Sequence, residues 1–437
     1  MSPAELLSLV TCDLGAIVRG RAVFASDLEA HLAAGIGWVP ANQALTPLGG
    51  LAEPNPFGSL GDLRLAPDES TRARVGAGPG ETPLELFICD IVETDGSPWA
   101  CCPRSFLAKA LADLRAETGA GVRTSFEHEF QLPAEGPAAL PFSLEAQRLA
   151  EPFAGEVMSA LVEAGVEPER FFPEFAPHQF EIPLAPAAGL TGADRAVILR
   201  EVVREVARRH GMRASFVPLL DPAAAGNGVH IHLSLTDEAG RPLLYDAARP
   251  AGLSELGGRF AAGVLAHAGA LSALCAPCPV SAERLRPHHW SAGAVCLAER
   301  NREALLRIPP VISLAGGEPQ AQLRLEYRGA DAAANPYLAL GALVRAGLEG
   351  IRAELPAPPI LEQDPATLSA EEAERFGVGA LPGSLAEALA ALEGDRIASG
   401  WLGPLLLEAY LSVKRAELAE TAELSLEEAC ARYALVY

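Results

Sequence analysis

GNGVHIHLSL, residues 226–235, sets the reading of the whole chain. Successive side chains of a strand point to opposite faces. His230, His232 and Ser234 therefore share one face, and Val229, Ile231, Leu233 and Leu235 back them. The chain has nine histidines in 437 residues, and two of them stand together here. Three more segments divide in a similar way. In RTSFEHEFQL (123–132), Glu127 and Glu129 oppose Phe126, His128 and Phe130. In QLRLEYR (322–328), Gln322, Arg324, Glu326 and Arg328 oppose Leu323, Leu325 and Tyr327. PEFAPHQFEIPL (173–184) carries Glu174 in a proline-flanked loop and Glu181 on the strand that follows.

One such strand alone reads as ordinary amphipathic structure with its polar face in water. Four of them, rich in Glu, His and Arg and poor in Ser, Thr and Lys, point to a shared site. Carboxylates gathered within a few ångströms cannot all ionise unaided, because like charges raise each other's pKa. Divalent cations resolve this. Oxygen-rich ligands with one imidazole suit Mg2+ or Mn2+ better than Zn2+. Two such ions neutralise a transferring phosphoryl group, and arginines beside them hold phosphate or carboxylate bidentately. The pattern predicts metal-dependent phosphoryl transfer to or from an acidic small molecule.

Composition narrows the class. The net charge of −22 argues against a nucleic-acid partner, since phosphate neutralisation needs a basic face. Hydrophobic content of 49% and charged content of 21% predict a soluble globular chain. Among the eight cysteines, Cys101 and Cys102 are adjacent and Cys275 and Cys278 form one C-x-x-C. No second pair at zinc spacing follows, so reduced thiols partly in the core are expected. No signal peptide or long apolar run opens the chain, which predicts a cytoplasmic location and no membrane partner.

Residues 40–80, rich in Pro, Gly and Ala, read as loops of a small N-terminal domain. LFICDIVETDGSPWACCP (86–103) reads as two short strands around the turn Asp95-Gly96. A boundary near residue 103 divides the chain into 1–103 and 104–437. Helices are predicted after residue 103, over 192–211 with Gly211 as the stop, and over 335–351 with Pro336 near the start. The tail from about residue 365 reads as helical and acidic.

With these segments in order, the chain resembles the glutamine synthetase family, closest in character to its γ-glutamyl–amine ligases. FEHEF, PEFAPHQFEI, GNGVHIHLSL, RLRPHHW, NREALLRIP, RLEYRGAD and NPYLALGALVRAGLEGI carry the resemblance, from about residue 85 to 350. It implies an α+β fold: a small N-terminal β-grasp domain and a C-terminal catalytic domain with a curved, mainly antiparallel sheet flanked by helices. It implies a ring-shaped homo-oligomer with sites between subunits, and two or three Mg2+ or Mn2+ per site. One metal site would use Glu129, Glu174 and Glu181; the other would use Glu127, His230 and Glu326. His232, Ser234 and Arg324 would lie along ATP. Arg302 and Arg307, with Glu129, would serve the phosphoryl transfer. Arg284, Arg328 and Gly226 would hold glutamate. In the family, ATP phosphorylates the glutamate side chain and an amine then attacks the acyl phosphate, splitting one hard condensation into two easier steps.

The sequence also departs from the family. Ammonia-using members carry a Glu shortly after RL-x-P; RLRPHHWSA places Trp290 there. Those members also have an N-terminal Asp-Gly-Ser-Ser turn, and GWVPANQALTPLGG (37–50) offers no acid. Ammonium needs a carboxylate, since an unpaired buried cation is costly, whereas an indole offers a π-face and an apolar wall. An alkyl, aryl or polyamine nucleophile is therefore expected, with His288 or His289 as a candidate base. The alternatives are an ammonia-dependent glutamine synthetase and a non-catalytic structural or sensing homologue. His178 stands where the family commonly has Gly, and VPLL (217–220) lacks the Lys often found before that Pro.

Overall fold

The strand read from GNGVHIHLSL spans Val229–Thr236 and lies inside a nine-stranded sheet. The computed structural model describes residues 5–78, 82–134, 136, 138–287, 289 and 291–437, without the Ala315 side chain. The expectations for His288 and Trp290 fall outside the described residues.

Two sheets organise the chain. The first contains β1 (Leu6–Cys12), β2 (Val18–Phe24), β3 (Ile36–Trp38), β4 (Leu63–Pro67), β5 (Ala73–Val75) and β6 (Leu84–Val92). Its order is β2-β1-β6-β4-β3, with β5 also on β6. β1 and β6 run parallel in the middle, and the other pairs are antiparallel. The short helix Leu28–Ala34 packs beside β4. This is the β-grasp-like N-terminal part.

The second sheet contains β7 (Gly121–Gln131), β8 (Phe172–Pro173), β9 (Gln179–Pro183), β10 (Ala187–Ala188), β11 (Val229–Thr236), β12 (Ala294–Glu299), β13 (Ala304–Ile308), β14 (Leu325–Tyr327) and β15 (Ile360–Leu361). Its order is β15-β12-β13-β14-β11-β7-β9-β8, with β10 on β7. β12 is parallel to β13 and β15; the remaining pairs are antiparallel. The α+β architecture is as expected.

The apolar faces are buried as the alternation requires. Phe126, His128 and Phe130 of β7 are buried. His128 stacks on Phe126 and meets the edge of Phe216. Burial and the nearby Arg200 push its pKa down to about 3. It is a neutral histidine of the apolar core, whereas the two on β11 stand on the polar face among carboxylates.

Helix Pro103–Thr118 begins on a proline and ends at Gly119 in the left-handed region. Helix Pro336–Arg352 is capped by Asn335, whose carboxamide oxygen accepts from the amides of Tyr337 and Leu338. It packs against helix Glu255–Ala266 so closely that a Cβ on Gly263 would sit 2.0 Å from the Ala346 carbonyl oxygen. Only glycine fits that crossing.

Three expectations are corrected. β4 and β5 occupy part of 40–80, because Leu63, Leu65, Ala73 and Val75 alternate inward over runs too short to read alone. Only the first strand forms around Asp95-Gly96; the return segment makes a single bridge, Val92 to Pro98. The 322–328 strand is only Leu325–Tyr327, since Pro319 starts a helical turn that ends at Gln322.

The eight cysteines are buried free thiols. Among the described residues no single helix is long and apolar enough to cross a membrane. The two sheets are tied together through the buried Arg104. Its guanidinium donates to Asp68, Asp90 and Asp194 at 2.7–3.0 Å, and Tyr337 Oη donates to Asp194 at 2.7 Å.

Candidate active site

Strand register builds the site. Glu127 on β7 faces His230 on β11. Glu129 on β7 faces Glu181 on β9. Glu326 on β14 faces His232 on one side and Arg307 of β13 on the other. Directly opposite residues on neighbouring strands have Cβ atoms about 4.5–5.5 Å apart, so five adjacent strands bring these groups together without any loop.

His230 Nδ1 lies 3.4 Å from Glu127 Oε2 and 3.9 Å from Glu326 Oε1. His232 Nε2 lies 3.0 Å from Glu127 Oε1, and Arg324 Nε donates to His232 Nδ1 at 3.0 Å. Arg307 donates to Glu326 Oε2 at 2.7 Å, and Arg328 pairs with the other oxygen. Ser234 continues the same face of β11, half-buried and opposite Arg123.

A cavity of about 480 Å3 opens on this face. Glu129, Glu174, Glu181, His230 and Gly226 line it, with Arg284, Arg302 and Arg328. Thus the expected acids and both histidines converge, and three expected arginines wall them. The glycines of GNG have a steric reason. A Cβ on Gly226 would lie 2.2 Å from the Pro218 carbonyl oxygen and 2.7 Å from Arg284 Cγ. Arg284 is buried across this turn and donates to the Ala330 carbonyl at 2.8 Å. Its Nε has no hydrogen-bond partner among the described residues, and neither has Arg307 Nε. Buried donors of this kind call for acceptors such as ligand oxygens.

Charge is unevenly balanced. Burial alone would raise Glu326, but Arg328, His230, His232 and Arg307 hold its pKa at about 2. Burial opposes ionisation of Glu127 too, yet His232 and His230 hold it well below the usual range. On the other side, burial and Glu129 push Glu174 up to about 8. Burial and the surrounding carboxylates raise Glu181 well above its ordinary value. Ionisation is disfavoured at Glu174 and Glu181, beside Glu129, so a cation held among these carboxyls would relieve the most repulsion.

The donor set fits a hard divalent ion. Ligand atoms of Glu127, Glu181 and His230 lie within 4.8 Å of one another, as do those of Glu127, His232 and Glu326. Both groups mix carboxylate oxygen with imidazole. The expected division was Glu129, Glu174, Glu181 against Glu127, His230, Glu326. The observed compact groups instead share Glu127 and bring in His232.

Sequence reasoning missed Gln179. Its Nε2 donates to Glu129 Oε2, the Gly226 carbonyl and Asn227 Oδ1 at 2.9–3.2 Å, tying β9 to the GNG turn. Period two would have found it, because Gln179 and Glu181 share a face of β9. His289 and Ser291 also line the cavity.

A family model of the glutamine synthetase catalytic domain matches residues 100–433, and one of the glutamine synthetase N-terminal domain matches residues 1–99. A gamma-glutamylpolyamine synthetase of Streptomyces coelicolor is 33% identical over 439 residues, covering 98% of this chain and 93% of that protein. A glutamine synthetase of Methanocaldococcus jannaschii is 32% identical, covering 82% of this chain and 79% of that protein. A solved glutamine synthase homolog has a TM-score of 0.92 at 48% identity, covering 100% of this chain and 99% of that one. These matches run the length of both sheets and take in every strand that carries an acid or a histidine of the cavity: the chain belongs to the glutamine synthetase family, whose members are ATP-dependent ligases forming C–N bonds.

Proposed function

We propose that this chain joins the γ-carboxylate of glutamate to an organic amine at the expense of ATP. The observation that carries the reading is the convergence of five glutamates and two histidines under buried arginines, on the strands where phosphoryl transfer needs them. Similarity to a gamma-glutamylpolyamine synthetase over nearly the full chain supports the choice of amine, as does Trp290 in place of a carboxylate.

Arg284 and Arg328, with Gly226, bind the carboxylates of glutamate. Arg302 and Arg307 serve the transferred phosphate, and His232, Ser234 and Arg324 line the nucleotide. A carboxylate oxygen of glutamate takes the γ-phosphoryl group and ADP departs. The amine nitrogen then attacks the γ-carbonyl carbon, the C–O bond to phosphate breaks, and the nitrogen loses a proton. Trp290 cannot accept that proton; His289, in the cavity wall, can. Two or three Mg2+ or Mn2+, held by Glu127, Glu129, Glu174, Glu181, His230 and Glu326, supply charge neutralisation on the phosphate oxygens when bound.

Arg328→Ala is expected to raise the glutamate KM about ten- to a hundredfold, the loss of one charge-assisted contact. The KM for ATP should change far less. An unchanged glutamate KM removes Arg328 from the substrate site.

Likeness to the Methanocaldococcus glutamine synthetase favours a second reading, ammonia as the nucleophile. ADP release with ammonium and with a panel of organic amines separates the two. A non-catalytic homologue fits poorly, because every expected metal-ligand position holds Glu or His. The reading includes a cytoplasmic ring assembly, an N-terminal domain of residues 1–103 and a catalytic domain of 104–437, with each site completed by a neighbouring subunit. A fully active monomer in light scattering contradicts the assembly.

A further inference from the structure

Three buried carboxamides close a ring beside the active-site cavity: Gln131 at the end of β7, Gln179 at the start of β9 and Asn227 in the GNG turn. Asn227 Nδ2 donates to Gln131 Oε1 at 3.2 Å and to the Val217 carbonyl at 2.8 Å. Gln179 Nε2 donates to Asn227 Oδ1 at 3.0 Å. Gln179 Oε1 accepts from the Ala176 amide at 2.8 Å, and Gln131 Nε2 donates to the Pro177 carbonyl at 3.0 Å. Each polar side-chain atom of the three therefore has a partner, and none carries a charge. A buried polar network satisfied in this way is rigid.

The ring clamps three pieces of the site. The first is the 174–178 loop, which carries Glu174 and turns through His178 at φ 54°. That left-handed conformation is strained for a residue with a side chain and persists only where its surroundings fix it. The bonds at Ala176 and Pro177 do so, together with the Leu132 amide, which donates to the His178 carbonyl at 3.0 Å. The second piece is Glu129. Gln179 Nε2 and the Gly228 amide both donate to its Oε2, at 3.2 and 2.8 Å, which leaves Oε1 for a cation. The third is the glycine turn. Gln179 Nε2 donates to the Gly226 carbonyl at 2.9 Å, and that turn lies against Arg284. Of the three carboxamides, Gln179 alone reaches both the Glu129 carboxylate and Gly226.

We propose that Gln179 is a positioning residue that couples cation binding at Glu129 to glutamate binding at the Gly226 turn. The inference rests on the ligase reading above. Glu129 Oε2 and the Gly226 carbonyl share one donor, so fixing the carboxylate also fixes the turn. Such coupling is reciprocal: the factor by which Mn2+ tightens glutamate equals the factor by which glutamate tightens Mn2+.

Calorimetry on the full chain measures the glutamate Kd with and without Mn2+, and the Mn2+ Kd with and without glutamate. Wild type should bind each ligand about tenfold more tightly when the other is present. Gln179→Met keeps the bulk and removes both the donor and the acceptor. It should bind Mn2+ about tenfold more weakly, and the mutual enhancement should fall towards one. Gln179→Glu keeps the shape and the acceptor for Ala176 but, ionised, has no hydrogen to donate. It should lose the enhancement too, and it decides the matter where Gln179→Met does not fold. Gln131→Met breaks the ring at a point that meets neither the Glu129 carboxylate nor Gly226. It should lower the Tm yet keep the enhancement. An unchanged enhancement in either Gln179 variant overturns the inference, as does an equal loss in Gln131→Met, which marks a packing role only. Wild type that binds glutamate with no enhancement by Mn2+ overturns it as well and leaves the ligase reading standing. Wild type that binds no glutamate, even with Mn2+ and ADP present, defeats the ligase reading and this inference with it.

Discussion

Glu127→Ala is expected to lower glutamate-dependent ATP turnover about a thousandfold or more. Glu127 belongs to both compact donor groups, with Glu181 and His230 and with His232 and Glu326. No other residue is common to the two, so one truncation weakens both cation positions. Charge neutralisation by a bound metal is worth several kcal/mol, and each 1.36 kcal/mol is about tenfold in rate. The fold should survive. Glu127 stands on the polar face of β7; its charge is one of the causes that raise Glu181 and Glu174, while its own ionised form is held by His232 and His230, so its removal relieves repulsion on one side and loses an attraction on the other. Thermal unfolding of the variant without metal should therefore remain cooperative, with a Tm modestly below that of the wild type. Added Mn2+ should raise the wild-type Tm and leave the variant's nearly unchanged. Wild-type turnover in the variant removes Glu127 from the metal site.

The second large effect concerns stability. Arg104→Met should cost about 3–5 kcal/mol, because removing one member of a buried ion cluster leaves uncompensated charge. Arg104 is buried, and it holds Asp194 while also reaching Asp68 and Asp90 beside the first sheet. Asp68 is one-third exposed, so Asp68→Asn should cost less than about 1 kcal/mol. Urea unfolding of the two variants reads the contrast. Equal, small losses would mean that the clamp does not hold the two sheets together.

Much of the site was legible before the fold, for one reason. Period-two alternation assigns Glu127, Glu129, His230, His232 and Glu326 to polar strand faces without knowledge of which strands pair. What alternation cannot give is the register. Whether His230 or His232 stands opposite Glu127 depends on pairing between segments about a hundred residues apart, and that pairing decides how the donor atoms group. Glu174 lies in a loop with no period at all, so only resemblance placed it. Gln322 and Arg324 were read one strand too long because a proline-started turn interrupts the run. β4 and β5 escaped notice because three to five residues between Pro and Gly carry too few alternations to count. The Arg104 clamp was invisible for a related reason: its partners are 14 to 90 residues away and belong to different elements.

The central claim is that the nucleophile is an organic amine. Its direct test is kcat/KM for ammonium against a broad panel of alkyl, aryl and polyamine substrates, read as ADP release with saturating glutamate and ATP. At least one organic amine should exceed ammonium by about tenfold, equivalent to roughly 1.4 kcal/mol of differential transition-state binding. Trp290→Glu should narrow that gap by restoring an anion. Wild-type protein that prefers ammonium to every amine in the panel would contradict the claim and make this chain an ammonia-dependent glutamine synthetase.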